Sequence, residues 1–335
     1  MSALPPPIKR TLPLYQVIGI SFLYYAIMVP INWLVIHLFR KPGLMLMGGK
    51  RQQQFDKELC KAFDDYTPAA RDVIVSTFSK SGTNWTLQMT HQIAFLGEGE
   101  FANIHDVVPW PEFNVMTKGR LAIPLEDTRV GDASPTNRRV IKTHLSAGYI
   151  PFNDQARYIT VIRDPKDIFV SSFYFAQGFF GALVPDVDRW LDAFLSDKFP
   201  LAFAASWSQH LHSFWALRHK PNVLILSFKA MKADLPGTVK QVAQFMDVEL
   251  TDPQLTKVIE KCRFDYMKAI DDRFVPMKKG ALPWLTASMM RQGKEGNSKE
   301  LITPAQQQRI DQYFMQELAA LGSDFPYGEY CRVTD

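Results

Sequence analysis

Four short apolar runs punctuate the middle of the chain: Asp72–Phe78, Arg139–Leu145, Arg157–Ile162 and Asn222–Phe228. Each is rich in β-branched residues, as strands are when both sheet faces are covered. Helical patterns fill the gaps between them. Trp85, Met89, Ile93 and Leu96 fall on one helical face, and Asp164-Pro165 opens a further helix with proline at its first position. Residues 203–219 set Trp207, Leu211, Phe214, Trp215 and Arg218 at helical spacing. Lys240–Met246 and Pro253–Cys262 read as two more helices, and a last one starts at Thr303-Pro304 and runs to about Leu321. This alternation predicts an α/β fold, a central parallel sheet flanked by helices. Hydrophobic content of 47% and charged content of 21% suit a globular chain with a full core.

The N-terminus departs from this pattern. No charged residue occurs from Thr11 to Phe39, and the run from Val17 to Phe39 is long enough to cross a bilayer. It carries Tyr24, Tyr25 and Trp33 and ends at Arg40-Lys41. It is too long for a signal peptide, and no small-residue cleavage site follows cleanly. Pro30 and Asn32 interrupt it, so a helix packed on the domain, or an in-plane helix kinked at Pro30, stands beside a simple span. Arg40, Lys41, Lys50 and Arg51 after the segment outnumber Lys9 and Arg10 before it, which would turn the C-terminal part toward the cytoplasm. The N-x-[ST] sequon Asn84-Trp85-Thr86 lies inside a candidate ligand loop and also favours the cytosolic side. Three scattered cysteines, Cys60, Cys262 and Cys331, suggest neither a disulfide framework nor a zinc site. We expect a membrane-associated segment and connector over residues 1–50, with membrane contact through residues 14–39, and a catalytic domain over residues 51–335.

The loop "SKSGTNW" (Ser79–Trp85) joins the first strand to a helix. Gly82 lets backbone approach an anion closely. The amides of Gly82, Thr83 and Asn84 would face outward at a helix N-terminus, where unpaired N–H groups favour phosphate. Lys80 adds charge, Ser81 and Thr83 add hydroxyls, and Trp85 offers a flat face for stacking. The plainer reading is a Ser/Gly turn with a surface lysine and a core tryptophan. Lys142 and His144 close the second strand run, two residues apart and so on one face. A neutral histidine can take a proton from a hydroxyl beside a lysine that holds negative charge. A half-buried strand histidine with a solvated lysine is the alternative. Arg163 ends the third run, and Ser171 follows eight residues later. Arginine there suits a phosphate, or else a salt bridge to Asp164 or Asp167. The net charge of +4 suits one anionic small molecule and is too weak to argue for nucleic acid.

These three stretches, in this order and spacing, resemble the sulfotransferases that use 3′-phosphoadenosine 5′-phosphosulfate, of the cytosolic, small-molecule type. The resemblance covers about residues 55–321 and leaves out the N-terminal segment. It implies a P-loop-like sulfotransferase fold. Lys80, Ser81, Gly82, Thr83, Asn84 and Trp85 match the family's 5′-phosphosulfate loop, with Trp85 stacking on adenine. Lys142 and His144 match its catalytic pair, and Arg163 and Ser171 its 3′-phosphate clamp. Phe228 stands where the family usually has a tyrosine near the adenine. Cys262-Arg263-Phe264 matches a nucleotide-contacting segment, which implicates Cys262 and Phe264. Met290, Arg291, Gln292 and Gly293 match a late stretch closing over the 3′-phosphate, where Gln292 replaces a lysine and Lys294 could supply the charge. The family's late dimer motif is poorly matched: Lys299 and Thr303 are kept, but Pro304 and Gln308 are not its residues, which argues against dimerisation through it.

The resemblance implies in-line sulfuryl transfer to an acceptor hydroxyl or amine. His144 would be the general base, Lys80 would neutralise the bridging oxygen and Lys142 would hold the sulfuryl oxygens. Ser171 would restrain Lys80 until the acceptor arrives. The chemistry would need no metal. Residues 101–124, 173–185 and 273–285 are apolar and aromatic, which favours a hydrophobic or amphiphilic alcohol or phenol, lipid-like ones included, over a carbohydrate. Two other classes compete. An ATP-dependent P-loop kinase would need a second glycine before the lysine, as in G-x-x-x-x-G-K-[ST], and a metal-binding carboxylate after a strand; that glycine is absent, and Asp164 reads better as a helix cap. A catalytically silent membrane-associated nucleotide-binding protein would bind without turnover.

Overall fold

The computed structural model describes residues 4–47, 56–197, 199–291, 293 and 296–334. Four parallel strands form the sheet: β1 (Asp72–Ser76), β2 (Arg139–Thr143), β3 (Arg157–Ile162) and β4 (Val223–Ser227), in the spatial order β2-β1-β3-β4. Every residue of β1 and β2 is buried, which explains the unbroken apolar runs. The pairing sets Ser76 opposite Thr143 and Ile162 opposite Ser227, so the carboxyl ends of the strands align along one edge. β1, β2 and β4 end two, two and one residues earlier than their runs predict. Phe78, Leu145 and Phe228 remain buried but lie past the ladder.

The helices follow from their caps. Asp164 accepts from the Lys166 N–H at 2.9 Å and starts the helix Pro165–Phe180. Asp164 is thus the helix cap, and its carboxylate also pairs with Lys166 and Arg332. Ser206 and Gln209 form a capping box that delays the next helix to Trp207–Trp215, inside the wider span read from sequence. Asp234 caps Leu235–Phe245, an earlier start than the apolar spacing suggested. Thr303 and Gln306 box the start of Pro304–Ala320, so the late-motif residues Thr303 and Pro304 are fixed as a helix beginning.

The apolar segment forms one helix, Leu14–His37. Its central Leu23–Met28 turn is π-helical. Pro30 lacks an N–H and would crowd the carbonyl four residues back, so a widened turn just before it lets the helix continue instead of breaking. Residues 4–47 pack on the catalytic domain rather than standing apart from it. Ile8 rests on one core cluster and Leu46 on another. The boundary expected near residue 50 lies outside the described residues.

Candidate active site at the carboxyl edge of the sheet

The strand ends deliver the site. A cavity of 520 Å³ opens along the carboxyl edge. Ser79, Lys80, Gly82, Thr83, Asn84 and Trp85 reach it from the β1 turn, Lys142 and His144 from β2, Arg163 from the end of β3, Ser171 from the helix Pro165–Phe180, and Phe228 from the end of β4. Lys80 takes a left-handed conformation at φ 67° and Gly82 one at φ 109°, which folds the loop so that the helix Thr83–Ala94 starts at the cavity wall. Gly82 has a second reason to be glycine: a Cβ there would meet the Phe228 ring at 3.0 Å.

Phe228 is the hub of this end. Trp85 meets its ring edge-on at 5.6 Å between centroids, and the Arg163 guanidinium lies 4.4 Å above it. Arg163 also donates to the Lys80 carbonyl at 2.7 Å, which ties the β3 end to the loop. The Trp85 indole N–H donates to the Cys262 carbonyl at 2.8 Å. Ser81 is fully buried, and its hydroxyl has no hydrogen-bond partner among the described residues. The positive-φ turn, which starts a helix at a cavity wall that also carries Lys80, Lys142 and Arg163, fits a chain folded to take a phosphate group.

The charged groups are held in protein rather than water. The Lys80 ammonium lies 4.1 Å over the Phe175 ring. Burial pushes its pKa down to about 7, the Arg163 charge pushes the same way and Asp271 opposes. The buried Lys142 ammonium sits 3.2 Å over the Trp110 ring. Its pKa falls well below the usual lysine value through burial, which the negative charge of Glu112 offsets in part. His144 Nδ1 lies 2.8 Å from the Thr77 carbonyl. A carbonyl only accepts, so Nδ1 carries the proton and Nε2 keeps its lone pair. Burial, with the Lys142 charge, holds the ring well below its ordinary pKa and hence neutral near pH 7.

Two sequence expectations change in detail. Cys262 turns its thiol into the core, because it ends the buried face of the helix Asp252–Cys262. It meets the loop only through its carbonyl, while its neighbours Arg263 and Phe264 line the cavity. Ser81 likewise faces inward rather than lining the cavity. Met290, Arg291 and Gly293 line it as expected, and a Cβ on Gly293 would strike the Phe264 ring. Gln292 and Lys294 lie outside the described residues.

Sequence reasoning missed several contributors. Glu112 is fully buried and accepts from the His144 backbone N–H at 2.5 Å, and Trp110 caps Lys142. Their only signal was the motif Trp110-Pro111-Glu112, where proline starts a short helix. Asp271 holds the amides of Met289 and Met290 at 2.9 and 2.7 Å. Lys232 adds a further basic side chain to the wall. Much of the remaining cavity wall is apolar. Phe113, Met116, Phe175, Phe179, Phe180 and Pro276 come from the three segments singled out in the sequence. Leu201 and Phe203 come from a fourth, unexpected one, and the Phe203 ring lies 4.8 Å from the His144 ring.

A family model described as the sulfotransferase domain matches residues 70–322. The chain belongs to the sulfotransferase family. It is a transferase enzyme, and its chemistry is sulfuryl transfer. Sulfotransferase 2A6 of Rattus norvegicus is 29% identical over 268 residues, spanning 77% of this chain and 87% of that one. Luciferin sulfotransferase of Photinus pyralis is also 29% identical, over 275 residues and 76% and 73% of the two chains. The fold agrees as well. Retinol dehydratase, solved with androsterone and the inactive cofactor PAP, superposes with a TM-score of 0.63 at 20% identity over 83% of this chain and 88% of that one. A mouse sulfotransferase complexed with PAP gives 0.57 at 21% identity over 78% and 90%. The sulfotransferase fold expected from the loop and strand motifs is therefore the fold observed. The apolar helix Leu14–His37 precedes the matched region.

Proposed function

We propose that this sulfotransferase moves the sulfuryl group of 3′-phosphoadenosine 5′-phosphosulfate to a hydroxyl of a hydrophobic or amphiphilic small molecule. One observation carries the reading. Lys80, Lys142, His144 and Arg163 meet in one cavity that Phe113, Phe175, Phe179 and Phe203 also line, with Phe175 and Phe203 directly against Lys80 and His144. The charged groups fit the bisphosphate nucleotide, and the apolar wall fits the acceptor.

The Lys80–Trp85 loop would hold the 5′ side of the donor, with Arg163 and Ser171 on its 3′-phosphate and Trp85 and Phe228 beside its base. Phe264, Met290, Arg291 and Gly293 would close the nucleotide end. The unprotonated Nε2 of His144 takes the acceptor's proton as the hydroxyl oxygen attacks sulfur, while Nδ1–H stays on Thr77 and fixes the ring. Lys142 faces the charge that spreads over the sulfuryl oxygens, and Lys80 the charge growing on the departing bisphosphate. Both lysines regain their protons most readily when an anion arrives, since burial and neighbouring positive charge depress them. The exposed apolar face of Leu14–His37 supports association with a membrane, and the many apolar walls of the cavity support a lipid-like acceptor.

The test is transfer of ³⁵S from labelled donor to a panel of long-chain alcohols, phenols and sugars. Labelled alcohol or phenol, lost in His144→Ala, is the expected result. Labelling of sugars alone would overturn the apolar-acceptor assignment, and phosphoryl transfer from Mg²⁺-ATP would overturn the donor.

A further inference from the structure

Chain on both sides of the apolar helix is fastened to the same catalytic domain. Before it, the Ile8 N–H donates to Asp106 Oδ1 at 3.0 Å. Arg10 reaches that oxygen at 2.6 Å and the Leu121 carbonyl at 3.1 Å. The Arg10–Asp106 pair is almost wholly buried, with 9% and 6% of the two side chains exposed. After the helix, Leu46 is buried in the cluster that holds Phe169 and Phe173. A helix that crosses a bilayer emerges on the opposite side from its start. Crossing here would strand either Arg10 or Leu46 away from its partners and leave Asp106 buried without its cation, a costly state.

Between these ties the helix leans on the domain. Tyr24 and Asn32 are its buried residues, 3% and 2% exposed, about 12 Å apart along the axis. The Tyr24 hydroxyl donates to the Phe180 carbonyl at 2.8 Å and accepts from the Ala182 N–H at 2.7 Å. Its ring stacks on Trp284 at 3.7 Å between centroids. Asn32 donates to the Ala182 carbonyl at 3.3 Å and accepts from the Leu44 N–H at 2.8 Å. Gly181, at φ 58°, has no space for a side chain, since a Cβ would lie 2.4 Å from the Tyr24 hydroxyl. Phe180 itself lines the cavity, so the helix is bonded to the rim of the apolar end. Asn32, one of the two residues that interrupt the segment as a simple span, faces the protein, while Pro30 is exposed.

The opposite face is open. Tyr15, Ile18, Phe22, Tyr25 and Trp33 are each more than half exposed. No charge lies among them, and the exposed Lys9, Arg40 and Lys41 flank the two ends. An apolar body with aromatics and basic ends complements hydrocarbon bordered by anionic headgroups.

We propose that Leu14–His37 lies within one leaflet of a phospholipid bilayer without crossing it, and that its inner face is the gate through which a membrane-dissolved alcohol enters the acceptor pocket past Tyr24 and Phe180. The gate rests on reading the apolar end of the cavity as the acceptor site; the one-leaflet arrangement does not. With both flanks on the side of the catalytic domain, the count of flanking charges no longer decides which side of the membrane that is.

The test uses the full chain in sealed membrane vesicles from expressing cells. Leu4→Cys and Glu126→Cys variants are probed with a membrane-impermeant maleimide, before and after detergent. Both positions should respond alike. Labelling of one before detergent and the other only after it overturns the one-leaflet arrangement. Purified protein should float with phosphatidylcholine–phosphatidylserine vesicles; a chain that stays soluble and sediments as a dimer shows that a second copy covers this face instead. A diazirine-bearing hexadecanol in the same vesicles should crosslink to Tyr24, Phe180 or Phe203, and several-fold less to Phe203 in Tyr24→Phe, whose flotation should be unchanged. Adducts confined to Phe22, Tyr25 and Trp33 overturn the gate. A protein that passes these tests yet transfers no ³⁵S to any alcohol keeps its topology and loses the sulfuryl-acceptor reading.

Discussion

The two ends of the cavity are built by different means. At the charged end, Lys80, Lys142, His144, Arg163 and Phe228 each sit within, or at most four residues beyond, a strand of the sheet. Parallel pairing therefore sets their separations. At the apolar end, Phe113, Phe180, Phe203 and Pro276 come from four segments far apart in sequence, and an outside helix braces the rim. Fixed charge is worth most when it need not reorganise, so it belongs on the stiffest scaffold. Choice of an apolar partner tolerates looser walls and can be left to loops.

If the ends are separable in this way, substitutions should divide cleanly between acceptor turnover and donor binding. The largest effect is expected for His144→Ala. Turnover should fall by about 10³-fold, within the range for a general base, while 3′,5′-adenosine bisphosphate binds within about twofold of wild type by calorimetry. An equal loss of nucleotide affinity would make His144 structural and erase the division. Next comes Gly82→Val. A side chain at φ 109°, pressed against Phe228, should cost about 1–3 kcal/mol of local strain, read as roughly tenfold or more weaker bisphosphate binding. Unchanged affinity would remove the loop from the donor end.

A third test is titration. Free Lys80 has its pKa pushed down to about 7, and a bound anion raises it again. Binding is then insensitive to Lys80 below pH 7. Above it, affinity should fall by up to about tenfold per pH unit until the pKa of the complex is reached, with a proton taken up on binding. Lys80→Met should bind more weakly at pH 6 and lose that slope. A slope that survives in Lys80→Met would assign it to another group. The smallest effect is expected for Phe203→Ala: a few-fold rise in acceptor KM with no change in nucleotide affinity.

The same difference explains what could be read in advance. Strands and strand ends carry short-range signals, such as β-branched runs, a lysine two residues before a histidine, or glycine at a turn. The four strands and the charged end were legible for that reason. Their apolar runs overshot the ladder because Phe78 and Leu145 are buried for packing rather than for pairing. Cys262 was misjudged because neighbours at a helix end diverge: Phe264 lines the cavity while Cys262 faces the core. Asp271 and Phe203 gave no local signal, and Glu112 only the helix start at Pro111, since their roles arise only when distant segments meet. Asn32 looked like a flaw in an apolar run because sequence does not tell which way a helix faces.

The contact between Tyr24 and Phe180 spans 156 residues of sequence. During synthesis at roughly 5–20 residues per second, the apolar helix waits about 8–30 s for the loop that will hold it. For that interval its polar face has nothing to bond and its greasy face nothing to cover it. If the helix lies in a leaflet as proposed, it is exposed for lipid before its own catalytic domain exists, and the order of translation would make membrane arrival an early event in the life of this enzyme.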